Sequence, residues 1–183
     1  MKRFAPIILV VLSLIIVGCT DSDQAVQPSA QNANANAADS GFNLYGRTIN
    51  DTEFDWNSLR GKYVLVKFTA TWCPPCQMEI PGMKAVYEQY RDKDFAIVSV
   101  YVFQREADPV ATVRDYVAAQ ELPWIILSEE LTRRAGQPPQ GETFEIRGVP
   151  TMLLVDREGE VIARDTRTMD QSLQRKLAEL LGE

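Results

Sequence analysis

The sequence predicts an α/β fold, a mixed central sheet flanked by helices with a short N-terminal β-hairpin added in front. Three observations predict it. Val64 to Phe68 is a run of β-formers that ends in a short turn and gives way to a helical pattern. Phe95 to Phe103 is apolar enough to be a buried strand, and a second helical segment follows it. Thr151 to Val155 and Glu160 to Arg164 then flank the turn signal Asp156–Gly159, ahead of a last helix with one apolar face. A β-α-β half followed by β-β-α calls for both parallel and antiparallel neighbours, with helices on both faces of the sheet.

The 183 residues suffice for one ordinary domain and an extension, and 45% hydrophobic content supplies a proper core. A net charge of −6 gives no footing for nucleic-acid binding. Met1 to Arg3 is basic, and the apolar run Phe4 to Val17 falls short of the roughly 20 residues a spanning helix needs. This reads as an export signal over residues 1–18. Ile16-Val17-Gly18-Cys19 resembles a bacterial lipobox, which makes Cys19 the expected lipidated N-terminus and predicts a lipid anchor in the cell envelope. An uncleaved anchor with an incidental cysteine is the alternative. Residues 19–41 hold the lipidated cysteine and a flexible linker, because Gln27 to Ser40 has no large apolar residue to bury.

The folded domain is expected over residues 42–183. Phe42 to Tyr45 and Glu53 to Trp56 suggest a hairpin with its turn at Asn50-Asp51. Met83, Val86, Tyr87 and Tyr90 recur at helical spacing, so the first helix runs to about Arg91 with a kink at Pro81. Asp108-Pro109 is a cap followed by proline at the first helical position, starting a helix to about Gln120. Trp124 to Leu127 reads as a short strand and Glu129 to Arg134 as a short helix. Ala135 to Glu142 is a Pro/Gly loop that either shapes a substrate surface or is a tolerated insertion. Thr168 with Gln171 resembles a capping box for the last helix, whose apolar face is Leu173, Leu177, Leu180 and Leu181.

The chemistry concentrates at Trp72-Cys73-Pro74-Pro75-Cys76, where strand gives way to helix. Cys73 is placed at a helix N-terminus, where unpaired N–H groups and the dipole stabilise a thiolate, the attacking species in disulfide exchange. Cys76 lies one turn further on. Pro74 and Pro75 suit the first turn, whose N–H groups have no helical partner. The competing reading, half of a zinc site, lacks ligands, since the chain has no histidine and its one other cysteine is Cys19. A purely structural disulfide is the other alternative, though so short a loop constrains little.

Trp72 to Cys76 resembles the active-site motif of the thioredoxin superfamily, and the longer run through Glu79 and Pro81 is similar to its TlpA/ResA-like branch. A second motif, Phe144 to Thr151, is similar to the family's proline loop, in which the proline is cis and faces the dithiol. The resemblance implies a thioredoxin-like fold and an exported thiol-disulfide oxidoreductase, more reductant than oxidant. Cys73 would be the nucleophile, Cys76 the resolving thiol and Glu79 the acid/base. Trp72, Pro74, Pro75, Val149 and Pro150 would contact substrate. No cofactor or metal is implied beyond the Cys73–Cys76 disulfide. Oxidised exported proteins, apocytochrome c among them, are the implied clients, with a membrane electron donor of the CcdA/DsbD kind.

Lys67 departs from the pattern, because thioredoxins carry an aspartate there and TlpA-like proteins often a neutral residue. Either it pairs with Glu79 beneath the dithiol and tunes it, or its long stem carries the ammonium to water. A thiol peroxidase and a non-catalytic binding module are rivals on the same fold. The first wants threonine where Ala70 stands, and the second typically loses a cysteine.

Overall fold

The computed structural model describes residues 41–165 and 171–182. The expected signal peptide, Cys19, the linker through Ser40 and Thr168 of the capping box lie outside these residues. The described chain runs β1 (Arg47–Thr48), a 3₁₀ turn (Trp56–Leu59), β2 (Tyr63–Thr69), α1 (Pro74–Met78), α2 (Ile80–Tyr90), β3 (Phe95–Tyr101), α3 (Pro109–Ala119). It continues through β4 (Ile125–Ser128), α4 (Glu129–Arg134), α5 (Gln140–Thr143), β5 (Thr151–Val155), β6 (Val161–Asp165) and α6 (Gln171–Leu181). Among the described residues no helix is long and apolar enough to cross a membrane.

The strands form one sheet in the order β1-β4-β3-β2-β5-β6, parallel across β4-β3-β2 and antiparallel at the other pairings. The mixed sheet flanked by helices is the architecture the sequence predicts. β2 sits at its centre because it is apolar on both faces. Val64, Val66 and Phe68 pack into a cluster with Trp56, Val98, Val100, Leu153 and Val155. Leu65 packs into the other, with Met83, Val86 and Tyr90 of α2, Val113 of α3 and Leu177 of α6. A one-residue slip of β2 would exchange these two sets, so its register is fixed by both cores. The same alternation puts Lys67 on the Leu65 face, beside the helices.

Three segments differ from the sequence expectation. The turn at Asn50-Asp51 is present, with Asp51 in the left-handed region (φ 61°), but the strands flanking it are shifted. Arg47 bridges Glu53, and β1 extends the sheet by pairing with β4. Phe42 to Tyr45 instead covers a core edge: Leu44 is buried, and the Phe42 ring stands 5.4 Å from Trp56 and 4.9 Å from Phe144. The helix after the cysteines is two helices, broken at Glu79, since Pro81 has no N–H to offer the Gln77 carbonyl. β3 stops at Tyr101, and Phe103 takes a positive φ of 54°.

Tyr101, at the end of β3, is 3% exposed, and the Tyr116 ring of α3 lies 6.2 Å away. Burial, then the charge of Tyr116, drives the Tyr101 phenol far above its usual range; burial raises Tyr116 as well. The native state therefore keeps phenol protons that the unfolded chain releases above about pH 10. Stability present below that pH is lost as pH rises further. Thermal melts from about pH 8 to 11 should show Tm falling in the upper part of the range, with a smaller fall in Tyr101→Phe. Lysines common to both proteins cancel in the difference. Parallel profiles would sink the assignment.

Candidate active site

The site is built where β2 ends. Ala70 and Thr71 turn the chain out of the sheet, and the Cys73 N–H closes the turn on the Ala70 carbonyl at 3.3 Å. Cys73 is the N-cap of α1, with Pro74 and Pro75 in the first turn. Its Sγ accepts the Cys76 N–H at 3.3 Å, so a backbone donor is already aimed at the sulfur. Cys73 and Cys76 form a disulfide, with Cα atoms 5.3 Å apart. Both cysteines are largely buried, whereas Pro74, Pro75, Gln77 and Met78 are exposed.

Lys67 stays inside. It is 2% exposed, and its Nζ donates to the Cys76 carbonyl at 2.9 Å and lies 2.8 Å from Glu79 Oε2. The break between α1 and α2 brings Glu79 into this position, 6% exposed, one turn beyond Cys76. The path to water through the lysine stem is thus not taken. Burial pushes the Lys67 ammonium below its usual pKa, against the hydrogen bond and charge of Glu79, which hold it up.

Trp72 packs against the cluster of Ala70, Cys73 and Cys76, and so does Val149. The Trp72 indole N–H donates to the Phe103 carbonyl at 2.8 Å, and the Arg105 guanidinium stands 3.7 Å from the ring centroid. Beneath them the Thr71 hydroxyl lies 2.7 Å from Gln104 Oε1 and 3.0 Å from Glu106 Oε1. Burial opposes the charge of Glu106, but hydrogen bonds from its own N–H, the Arg105 N–H and Thr71 outweigh it and lower its pKa. Glu129 of α4 accepts the Phe103 N–H at 3.3 Å and the Gly141 N–H at 2.7 Å. Gln140 in the 135–142 segment is buried and donates to the Tyr45 carbonyl at 2.6 Å. The loop therefore packs on the N-terminal segment and reaches the site through Glu129 and through Gly141, which lies against the Phe103 ring and accepts the Ile146 N–H at 2.8 Å.

The Val149–Pro150 peptide is cis, and the Val149 carbonyl oxygen lies 3.6 Å from Cys73 Sγ. The fold thus gathers Trp72, Cys73, Cys76 and Val149, from segments far apart in sequence, and sets Lys67 and Glu79 below them. Sequence reasoning missed Phe103, Arg105 and Glu106. One signal could have found them: β2 and β3 run parallel and in register to Thr69 opposite Tyr101, so the polar residues after β3 emerge beside the cysteine turn.

The family model described as Redoxin matches residues 23–181. The chain belongs to the Redoxin family. This Redoxin chain is 25% identical over 147 residues to the thiol-disulfide oxidoreductase ResA of Halalkalibacterium halodurans, a match covering 80% of this chain and 78% of that protein. It is 27% identical over 112 residues to the ResA of Bacillus cereus, covering 61% of this chain and 59% of the relative, less than two thirds of its length. Among solved structures, the thioredoxin domain of a thiol-disulfide oxidoreductase from Bacteroides vulgatus aligns with a TM-score of 0.62 at 25% identity, over 76% of this chain and 93% of that one. The likeness is to the ResA-like branch of the thioredoxin superfamily. Together with the Cys73–Cys76 disulfide, it supports thiol-disulfide oxidoreductase chemistry for this Redoxin chain.

Proposed function

We propose that the protein is a lipid-anchored thiol-disulfide reductase of the bacterial cell envelope, acting on oxidised exported proteins. The observation that carries this reading is the Cys73–Cys76 disulfide at the N-terminus of α1, with the Val149–Pro150 loop against Cys73 Sγ. In the dithiol form the Cys73 thiolate, held by the Cys76 N–H, attacks one sulfur of the client disulfide. That S–S bond breaks, a mixed disulfide forms, and the first client thiolate leaves and takes a proton from water. Glu79 receives the Cys76 proton, and the Cys76 thiolate then attacks Cys73 Sγ. The second client thiolate leaves and takes the proton held by Glu79, so the client departs with two thiols and the protein is left with its disulfide. Two electrons have passed from protein to client.

Trp72, Pro74 and Pro75 offer the client an apolar surface, and the backbone at Val149 and Pro150 aligns it. Lys67 holds Glu79 ionised when the dithiol is idle. Cys19 carries the lipid, and a membrane donor of the CcdA/DsbD kind returns the electrons. The dipeptide between the cysteines is Pro-Pro and contains no histidine, which favours a reductant.

The reduction potential of the full chain, equilibrated against glutathione buffers, tests the direction. A value near or below about −230 mV supports the reductase. A value near about −120 mV makes the protein an oxidant and overturns the direction of transfer.

A further inference from the structure

A groove of about 370 Å³ opens along the loop that carries the cis Val149–Pro150 bond. Val149 and Pro150 form one wall, and Arg147 and Arg164 line it with Glu145. The Val149 carbonyl sits 3.6 Å from Cys73 Sγ, so one wall of the groove is the backbone that meets the reacting sulfur. Arg164 is steadied by donating to the Phe144 carbonyl at 3.2 Å, which leaves further guanidinium N–H groups for a ligand. Arg147 is exposed and has no side-chain partner among the described residues. Among the described residues Glu145 offsets one of the two cations, which leaves the lining of the groove with an excess of positive charge in a chain of net charge −6.

We propose that this groove takes a carboxylate side chain of the client, so that the protein selects oxidised clients with Asp or Glu close to the reacting cysteine. The proposal rests on the reductase reading above. A fork of guanidinium donors matches a carboxylate in geometry as well as charge. A groove continuous with the peptide edge at Val149 suits a side chain of the polypeptide being reduced. Trp72, the other neighbour of the cysteines, also carries an arginine, but Glu106 lies beside Arg105 and balances it. The unbalanced charge is in the groove.

The test uses the reduced full chain and disulfide-linked fluorogenic peptides of one length, with Glu, Gln or Lys next to the cysteine. At low salt the second-order rate constant should fall in the order Glu, Gln, Lys, with about tenfold between the ends, and the spread should shrink as salt rises. The Arg147→Gln/Arg164→Gln double variant should bring Glu and Lys to within about twofold of each other, each rate taken relative to the Gln peptide in the same variant. Arg147→Lys/Arg164→Lys keeps the charge and should keep the order. Arg91→Gln, at the C-terminal end of α2, removes a charge elsewhere and should leave the spread intact. Equal rates for the Glu and Lys peptides in the wild type, or an unchanged spread in the Gln/Gln variant, overturn the proposal while the reductase reading stands. Failure to reduce any of the three peptides overturns both.

Discussion

Lys67→Met is expected to lower the stability of the protein by about 3–5 kcal/mol, the scale for removing one partner from a buried ion pair. Met keeps most of the stem volume, so the loss comes chiefly from the charge left behind. Glu79, 6% exposed, loses the ammonium 2.8 Å away and must either stay ionised without it or take up a proton. The Cys76 carbonyl loses its 2.9 Å donor at the same time. Lys67→Met/Glu79→Leu removes both charges and should recover most of the loss, because a buried pair and a well-packed apolar pair are close in free energy. Chemical denaturation of the single and double variants reads this directly. A single variant within about 1 kcal/mol of wild type would mean that water reaches Glu79 and that the pair is not sealed. The double variant also tests tuning. If the pair governs the dithiol, its reduction potential moves even where stability is restored.

Cys76→Ser is expected to arrest the reaction with the client covalently held. The variant keeps Cys73 Sγ at the start of α1, with the Cys76 N–H group 3.3 Å away still present as a backbone donor. It can attack a client disulfide but has no second thiol to release it. Non-reducing electrophoresis after mixing with oxidised insulin should show a stable adduct, lost on adding dithiothreitol. Cys73→Ser should show no adduct, with insulin reduction at the uncatalysed background. An adduct formed equally well by Cys73→Ser would reverse the roles of the two cysteines.

The fold was legible where periodicity and turn chemistry agree. β5 occupies the span read from the sequence, and α3 begins at the Asp108 cap, whose side chain accepts the Ala111 N–H. The N-terminal segment was not legible. Phe42 to Tyr45 has the composition of a strand, yet its large side chains are used to cover the edge of a core, a choice that local pattern does not encode. The cysteine turn could be read because its spacing is local. The contact of Lys67 with Glu79 could be anticipated because strand alternation puts the lysine under the helices, but only coordinates exclude the path to water. The Arg105–Trp72 stack and the pair of arginines in the groove join residues from segments far apart in the sequence. No periodicity links such positions; only the parallel pairing of β2 with β3 points to Arg105, and nothing of that kind points to the two arginines.

Glu129 gives the molecule an inheritance rule. One carboxylate at the start of α4 fastens the loop that holds Trp72 and the segment after α4, through Phe103 and Gly141. Two loops from separate parts of the chain are thus referenced to a common anchor. An insertion or deletion between Ala135 and Glu142 is felt at the indole beside the cysteines unless the Gly141 N–H keeps its place. A graft of this segment from a relative would transplant cleanly only as a set with α4 and the loop after β3. The unit of exchange here is three pieces of chain that share one carboxylate.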